Sequence, residues 1–156
     1  MITPYKVLVA EDSGRDPLLM AKCLGRFPTL ELIGELHHDD QIRAYLRGRG
    51  VYADRQAYPL PDLLLHDAVT DGESVTSFLD WLKRHPVTNL VVVIFTSSLS
   101  PDGCIDFVKN GAHACYTKPE DEMVLESYLH EIENNMLNGH YRDTQASRIA
   151  ALSMSN

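Results

Sequence analysis

The sequence predicts an α/β domain, a five-stranded parallel sheet with helices on both faces. Three observations predict it. Short and nearly unbroken apolar runs (VLVA, LLL, VVVIF) suit strands buried on both sides. Each strand candidate is followed by a stretch with helical periodicity. Gly, Pro and Asp punctuate the junctions, and no internal repeat or low-complexity tract interrupts the alternation.

Tyr5–Ala10 (YKVLVA) reads as the first strand. Arg15–Phe27 is the first helix, with Leu18, Leu19, Ala21 and Leu24 on one side. Asp12 or Ser13 caps it, and Pro17 fits only its first turn. Leu30–Leu36 is a second strand, followed by a short helix capped by Asp39 or Asp40 and running through Leu46. Residues 48–61 (GRGVYADRQAYPLP) read as an extended surface loop. Asp62–His66 is the third strand and Val75–Arg84 a helix with Phe78, Leu79 and Leu82 on one side. Leu90–Phe95 is the fourth strand. Pro101 opens a helix that Gly111 ends. Ala112–Thr117 is a short fifth strand, and Glu120–Leu137 a final amphipathic helix whose apolar side is core. The remaining GHYRDTQASRIAALSMSN is weakly patterned, with RIAAL a segment suited to docking on another chain.

At 156 residues the chain is one domain of ordinary size, and 44% hydrophobic with 23% charged residues is a soluble globular profile. NLVVVIF, the longest strongly apolar run, is too short to cross a bilayer, and the N-terminus lacks the layout of a secretory signal. A net charge of -8 with no basic stripe disfavours direct nucleic-acid binding. Three cysteines without CxxC spacing argue against a disulfide framework and a zinc knuckle, which makes a reducing cytoplasm the expected compartment. Cys23 and Cys115 read as buried apolar residues.

Parallel sheets gather their sites at the carboxyl ends of the strands. Glu11 and Asp12 follow strand one, Asp67 follows strand three, and Thr96 and Lys118 close strands four and five. Three carboxylates, a hydroxyl and an ammonium are thereby predicted to share one rim. One lysine cannot balance three acids in a site of reduced dielectric, whereas a hard divalent cation with oxygen ligands can, and Mg²⁺ suits a partly hydrated carboxylate site. A carboxylate there can attack a phosphoryl group in line, with Lys118, Thr96 and the cation stabilising the spread charge.

VLVAEDS, PDLLLHD, VVVIFTSS and GAHACYTKP, in this order, resemble the receiver domains of bacterial two-component response regulators. The resemblance spans residues 5–138. Residues 48–67 further resemble stand-alone receivers paired with bacterial phytochromes. The resemblance implies a flavodoxin-like (βα)5 receiver domain over 1–138 and a C-terminal tail over 139–156 with no output domain. It implies that Asp67 accepts a phosphoryl group from a sensor histidine kinase or phosphotransfer protein. Glu11, Asp12 and Asp67 would hold Mg²⁺ together with the backbone carbonyl of Val69, Lys118 would pair with the acyl phosphate, and Thr96 would hydrogen-bond a phosphoryl oxygen. Ser97 leaves room for the phosphoryl group, and Pro119 occupies the place of the family's cis Lys-Pro bond. Signalling would pass through protein contacts of the fourth and fifth helices and the strand between them, with a homodimer as one form. No membrane partner is expected, and no separate substrate is turned over.

Two features depart from the pattern. The loop from Asp67 to Gly72 is short and lacks the family's proline, and Cys115 stands where the switch aromatic lies three residues before the lysine. Tyr116 is expected on the opposite side of its strand. A phosphorylation-independent protein-binding module is therefore the alternative function. A nucleotide- or flavin-binding reading fails because AEDSGRD offers acids where a phosphate-cradling loop is needed. A phosphatase with two aspartates spaced by one residue fails because Ala68 and Val69 follow Asp67.

The same residues also admit simpler roles. Asp67 alone would pass for a turn acid, and Glu11 and Asp12 for helix caps. His66 should alternate to the face away from Asp67 as a satisfied core histidine. The run His37, His38, Asp39, Asp40 reads as a solvated helix start rather than a metal site.

Overall fold

The computed structural model describes residues 3–11, 17–68, 72–97 and 101–142. Five strands, β1 (Tyr5–Glu11), β2 (Leu30–Leu36), β3 (Leu63–Ala68), β4 (Val91–Thr96) and β5 (Ala114–Thr117), form one sheet in the order β2-β1-β3-β4-β5. Every pairing is parallel. The helices are α1 (Pro17–Leu24), α2 (Asp39–Arg47), α3 (Gly72–Arg84), α4 (Pro101–Lys109) and α5 (Glu122–Leu137).

The alternation of side chains along the strands splits the core in two. Val7, Val9, Leu63, Leu65 and Val93 point to α1 and α5, where Cys23, Leu24, Leu125, Leu129 and Ile132 meet them. Leu8, Leu64, Val92 and Ile94 point to the other face, against Ile42 and Tyr45 of α2, Phe78 and Leu79 of α3, and Phe107 of α4. The central strands are apolar on both sides because both sides are covered. Arg26 of the α1 turn pairs with Glu122 and Glu126 of α5, across the solvent side of the first layer.

Several boundaries differ from expectation. The sheet extends to Ala68, so Asp67 lies inside β3 rather than after it. The N-cap of α2 is His38 with no side-chain cap bond, whereas Asp39 sits in the first turn and pairs with Arg43 at 2.7 Å. An acid inside that first turn meets both the helix dipole and the i+4 arginine. The expected loop 48–61 contains a 3-10 turn, Gly50–Ala53, and packs as a unit. Tyr45, Tyr52 and Tyr58 form a ring cluster with centroids 5.0–6.0 Å apart. Arg55 donates to the carbonyls of Tyr45 (2.8 Å) and Leu46 (3.0 Å) in the last α2 turn, the first of which also accepts from the Gly48 amide, and to that of Tyr58 (3.1 Å). Gly48, at φ +65°, makes the left-handed turn that brings Arg55 back over α2.

The core continues past α5. Tyr141, in the short turn His140–Arg142, is 6% exposed within the α1 and α5 layer and accepts a bond from Asn135 at 3.2 Å. The RIAAL segment lies outside the described residues. No helix among the described residues is long and apolar enough to cross a membrane.

Candidate functional site

Strand register assembles the rim. Glu11 is level with Asp67 across β1 and β3, Ala68 is level with Thr96 across β3 and β4, and Thr96 with Thr117 across β4 and β5. One residue on, the Lys118 amide donates to the Thr96 carbonyl at 2.9 Å. Neighbouring strands lie about 4.8 Å apart, so these four groups occupy one short arc at the carboxyl ends of the sheet. Glu11, Asp67 and Thr96 are 6%, 7% and 3% exposed.

Lys118 Nζ stands 2.8 Å from Asp67 Oδ1, and the two side chains are only 5% and 10% exposed. A charge pair this dry persists because each partner would otherwise be an uncompensated buried ion. Glu11 lies in the same neighbourhood and has no ion pair of its own among the described residues. Burial, and then the charges of Asp67 and Glu35, push its carboxyl above the usual range, against smaller opposing effects of Lys118 and His37. The rim therefore carries more negative charge than its one ammonium offsets.

Glu11, Asp67, Thr96 and Lys118 are thus brought together as expected. Asp12 and Val69 fall outside the described residues. Among the described residues no group of three or more His, Cys, Asp or Glu side chains is gathered closely enough to hold a metal ion. Glu11 and Asp67 supply two carboxylates level with each other across β1 and β3, and the charge of Glu35 acts on the same corner. That donor set fits a hard cation retaining several waters, as Mg²⁺ does. His66 is buried on the opposite face, 5.3 Å from the Phe78 ring of α3, so it takes no part in the rim.

Two residues near the rim escaped sequence reasoning. The β1–β2 register slips between Val7 and Leu8, so that Val9 rather than Ala10 faces Glu35. Paired residues share a face, and the slip therefore turns Glu35 onto the side of Glu11. Its Oε1 is buried without a hydrogen-bond partner among the described residues. His37 approaches from the same strand end, its Nδ1 3.1 Å from the Glu11 carbonyl. The signal available in LELIGEL was Gly34, where an added Cβ would press on Leu8 at 3.3 Å, but glycine marks such a bulge without giving its phase.

Beyond the rim, β5 divides the two switch candidates as expected. Tyr116 faces α5, donating to Glu131 at 2.9 Å and packing 4.5 Å from the Tyr128 ring. Cys115 faces α4. It is bonded to Cys104 there, with Cα atoms 5.4 Å apart, which corrects the reading of Cys115 as a plain buried apolar residue and the argument against disulfides. Cysteine count and local spacing cannot register a pair made when a helix folds back along the next strand, 11 residues on. Cys23 is buried and free, as expected. A second correction concerns Lys118–Pro119: among the described residues no peptide bond is cis, so the expected cis bond is trans, the isomer an X-Pro amide favours by about 0.5–1 kcal/mol.

Neither a protein-family model nor a curated protein matches the sequence. Solved structures do. The response regulator RPA3017, of red light signaling in R. palustris, is 23% identical, with a TM-score of 0.69 over 85% of this chain and 92% of that one. The phosphorylated cyanobacterial phytochrome response regulator RcpA is also 23% identical, at 0.69 over 86% and 95%. The Mn²⁺-bound form of response regulator Rcp1 is 27% identical, at 0.66 over 83% and 92%. The chain has the receiver fold, and it is similar to the stand-alone receivers of response regulators.

Proposed function

We propose that the chain is a response-regulator receiver in which Asp67 accepts a phosphoryl group from a histidine kinase or phosphotransfer protein, in a reaction that needs Mg²⁺. The receiver takes in residues 1–138 and, with Tyr141 in the α1 and α5 layer, the turn His140–Arg142 as well, and it acts in the cytoplasm. The observation that carries the reading is the buried Asp67–Lys118 pair beside Glu11, on the carboxyl rim of a five-stranded parallel sheet.

In this reading a carboxylate oxygen of Asp67 attacks the phosphorus, and the bond from phosphorus to the donor nitrogen breaks in line with it. Lys118 shifts its ammonium from the Asp67 carboxylate to the acyl phosphate that forms there. The Thr96 hydroxyl donates to a phosphoryl oxygen. Glu11, Asp12 and Asp67, with the Val69 carbonyl, would hold the cation, which when bound supplies neutralising charge for the phosphoryl oxygens. No separate substrate is turned over. The output surface is α4, β5 and α5, met by a protein partner or a second copy of the chain.

Incubation with acetyl phosphate tests the reading. Labelling of the intact protein that requires Mg²⁺ and disappears in Asp67→Ala is expected. A folded protein that takes no label with the metal present overturns it in favour of a binding module that works without phosphorylation.

A further inference from the structure

α4 is weakly held by ordinary packing. Among its described side chains Phe107 alone reaches the core at 4% exposure, while Ile105 is 47% exposed. Its sequence, PDGCIDFVK, places a glycine and two β-branched residues, all below alanine in helix propensity, within nine residues. The covalent tie between Cys104 and Cys115 is therefore a principal attachment of this helix to the sheet. Both cysteines are half-buried, within reach of a small reagent, unlike Cys23, which is 0% exposed. Cys115 is level with Ile94 on β4, and three residues on stands Lys118, whose ammonium holds Asp67.

We propose that Cys104 and Cys115 are a reversible thiol–disulfide couple that staples α4 to β5, oxidised by a small-molecule disulfide of the glutathione class. One thiolate attacks a sulfur of the oxidant, forming a mixed disulfide and expelling one glutathione thiolate, which takes up a proton. The second cysteine, as thiolate, attacks the protein sulfur of that mixed disulfide, closing the Cys104–Cys115 bond and expelling the second glutathione. Two electrons pass from the protein pair to the oxidant. Reduction by glutathione reverses both steps. The couple does not rest on the phosphoryl-transfer reading, because it concerns only the attachment of α4.

The full-length protein would be equilibrated in glutathione buffers of graded ratio, quenched in acid, alkylated and mapped by mass spectrometry. Cys104 and Cys115 should lose and regain alkylation together across the series, while Cys23 stays a thiol throughout. Pairing that persists in fully reduced glutathione, or thiols that persist in fully oxidised glutathione, overturns the proposal. In at least one of Cys104→Ser and Cys115→Ser the remaining cysteine should accumulate as the mixed disulfide; unmodified thiols in both would contradict the order of steps. Amide exchange supplies the second readout: oxidation should slow exchange over residues 105–109 by about tenfold or more and leave α1 unchanged. Equal exchange in the two redox forms would overturn the staple.

Discussion

Lys118→Met removes the one ammonium from a rim that keeps Asp67 and Glu11. Methionine retains the length and apolar stem of the lysine, so packing changes little and the perturbation is electrostatic. The Asp67 and Lys118 side chains are 10% and 5% exposed, which places their pair among buried ones, where loss of a single partner costs about 3–5 kcal/mol. For a domain of this length, roughly 2–4 °C of Tm is lost per kcal/mol, which converts to a fall of about 6–20 °C. Urea unfolding without metal, at neutral pH and with m-values compared, would measure it. The double variant Asp67→Asn/Lys118→Met, which removes the Asp67 charge together with its partner, should recover at least about 2 kcal/mol of the loss. A single variant costing under about 1 kcal/mol, or costs that simply add, would refute the view that this pair is desolvated and coupled.

The remaining predictions concern the same rim and its supports. Because Glu11 binds its proton more tightly in the folded state, its contribution is fully present below the ordinary carboxylate range and is lost as pH rises through its elevated pKa. Metal-free stability should therefore decline over that window by an amount that shrinks in Glu11→Gln; equal slopes would contradict it. Mg²⁺ at about 100 times its Kd should add roughly 2.7 kcal/mol at neutral pH, and a Tm insensitive to Mg²⁺ would count against the cation site. Glu35→Gln should stabilise the metal-free protein by reducing repulsion with Glu11 while weakening Mg²⁺ binding, read by titration calorimetry; a change of the same sign in both would contradict it. Arg55→Ala, which removes the side-chain donor from the Leu46 carbonyl and one of two donors from that of Tyr45, should cost about 1–3 kcal/mol in urea unfolding with no effect on Asp67 labelling. Replacing both Cys104 and Cys115 by Ser should lower stability by about 2–3 kcal/mol, the scale for closing a loop of this length; unchanged unfolding would show that the bond does not constrain α4.

Five strands and five helices were legible in order because apolar runs and helical periods are local properties, and β2 was readable to the residue as LELIGEL. The placement of Glu11, Asp67, Thr96 and Lys118 on one rim also followed from sequence, since parallel strands that alternate with helices end on one side. Boundaries were less legible where tertiary pairing extends a strand, as when β4 carries β3 onward through Asp67 to Ala68. The packing of loop 48–61 was hidden because it depends on Arg55 folding back to carbonyls nine and ten residues away.

By itself, then, the chain's order of residues determined which groups reach the acidic edge, for a strand's end is set by its own run of side chains. Tertiary structure alone decided how those groups answer one another. A one-residue slip turned Glu35 toward Glu11, the meeting of β3 with the segment after β5 joined Asp67 to Lys118, and the return of α4 along β5 joined two cysteines. Each depends on distances between segments far apart in sequence, which are set when the layers pack and have no counterpart in any local pattern.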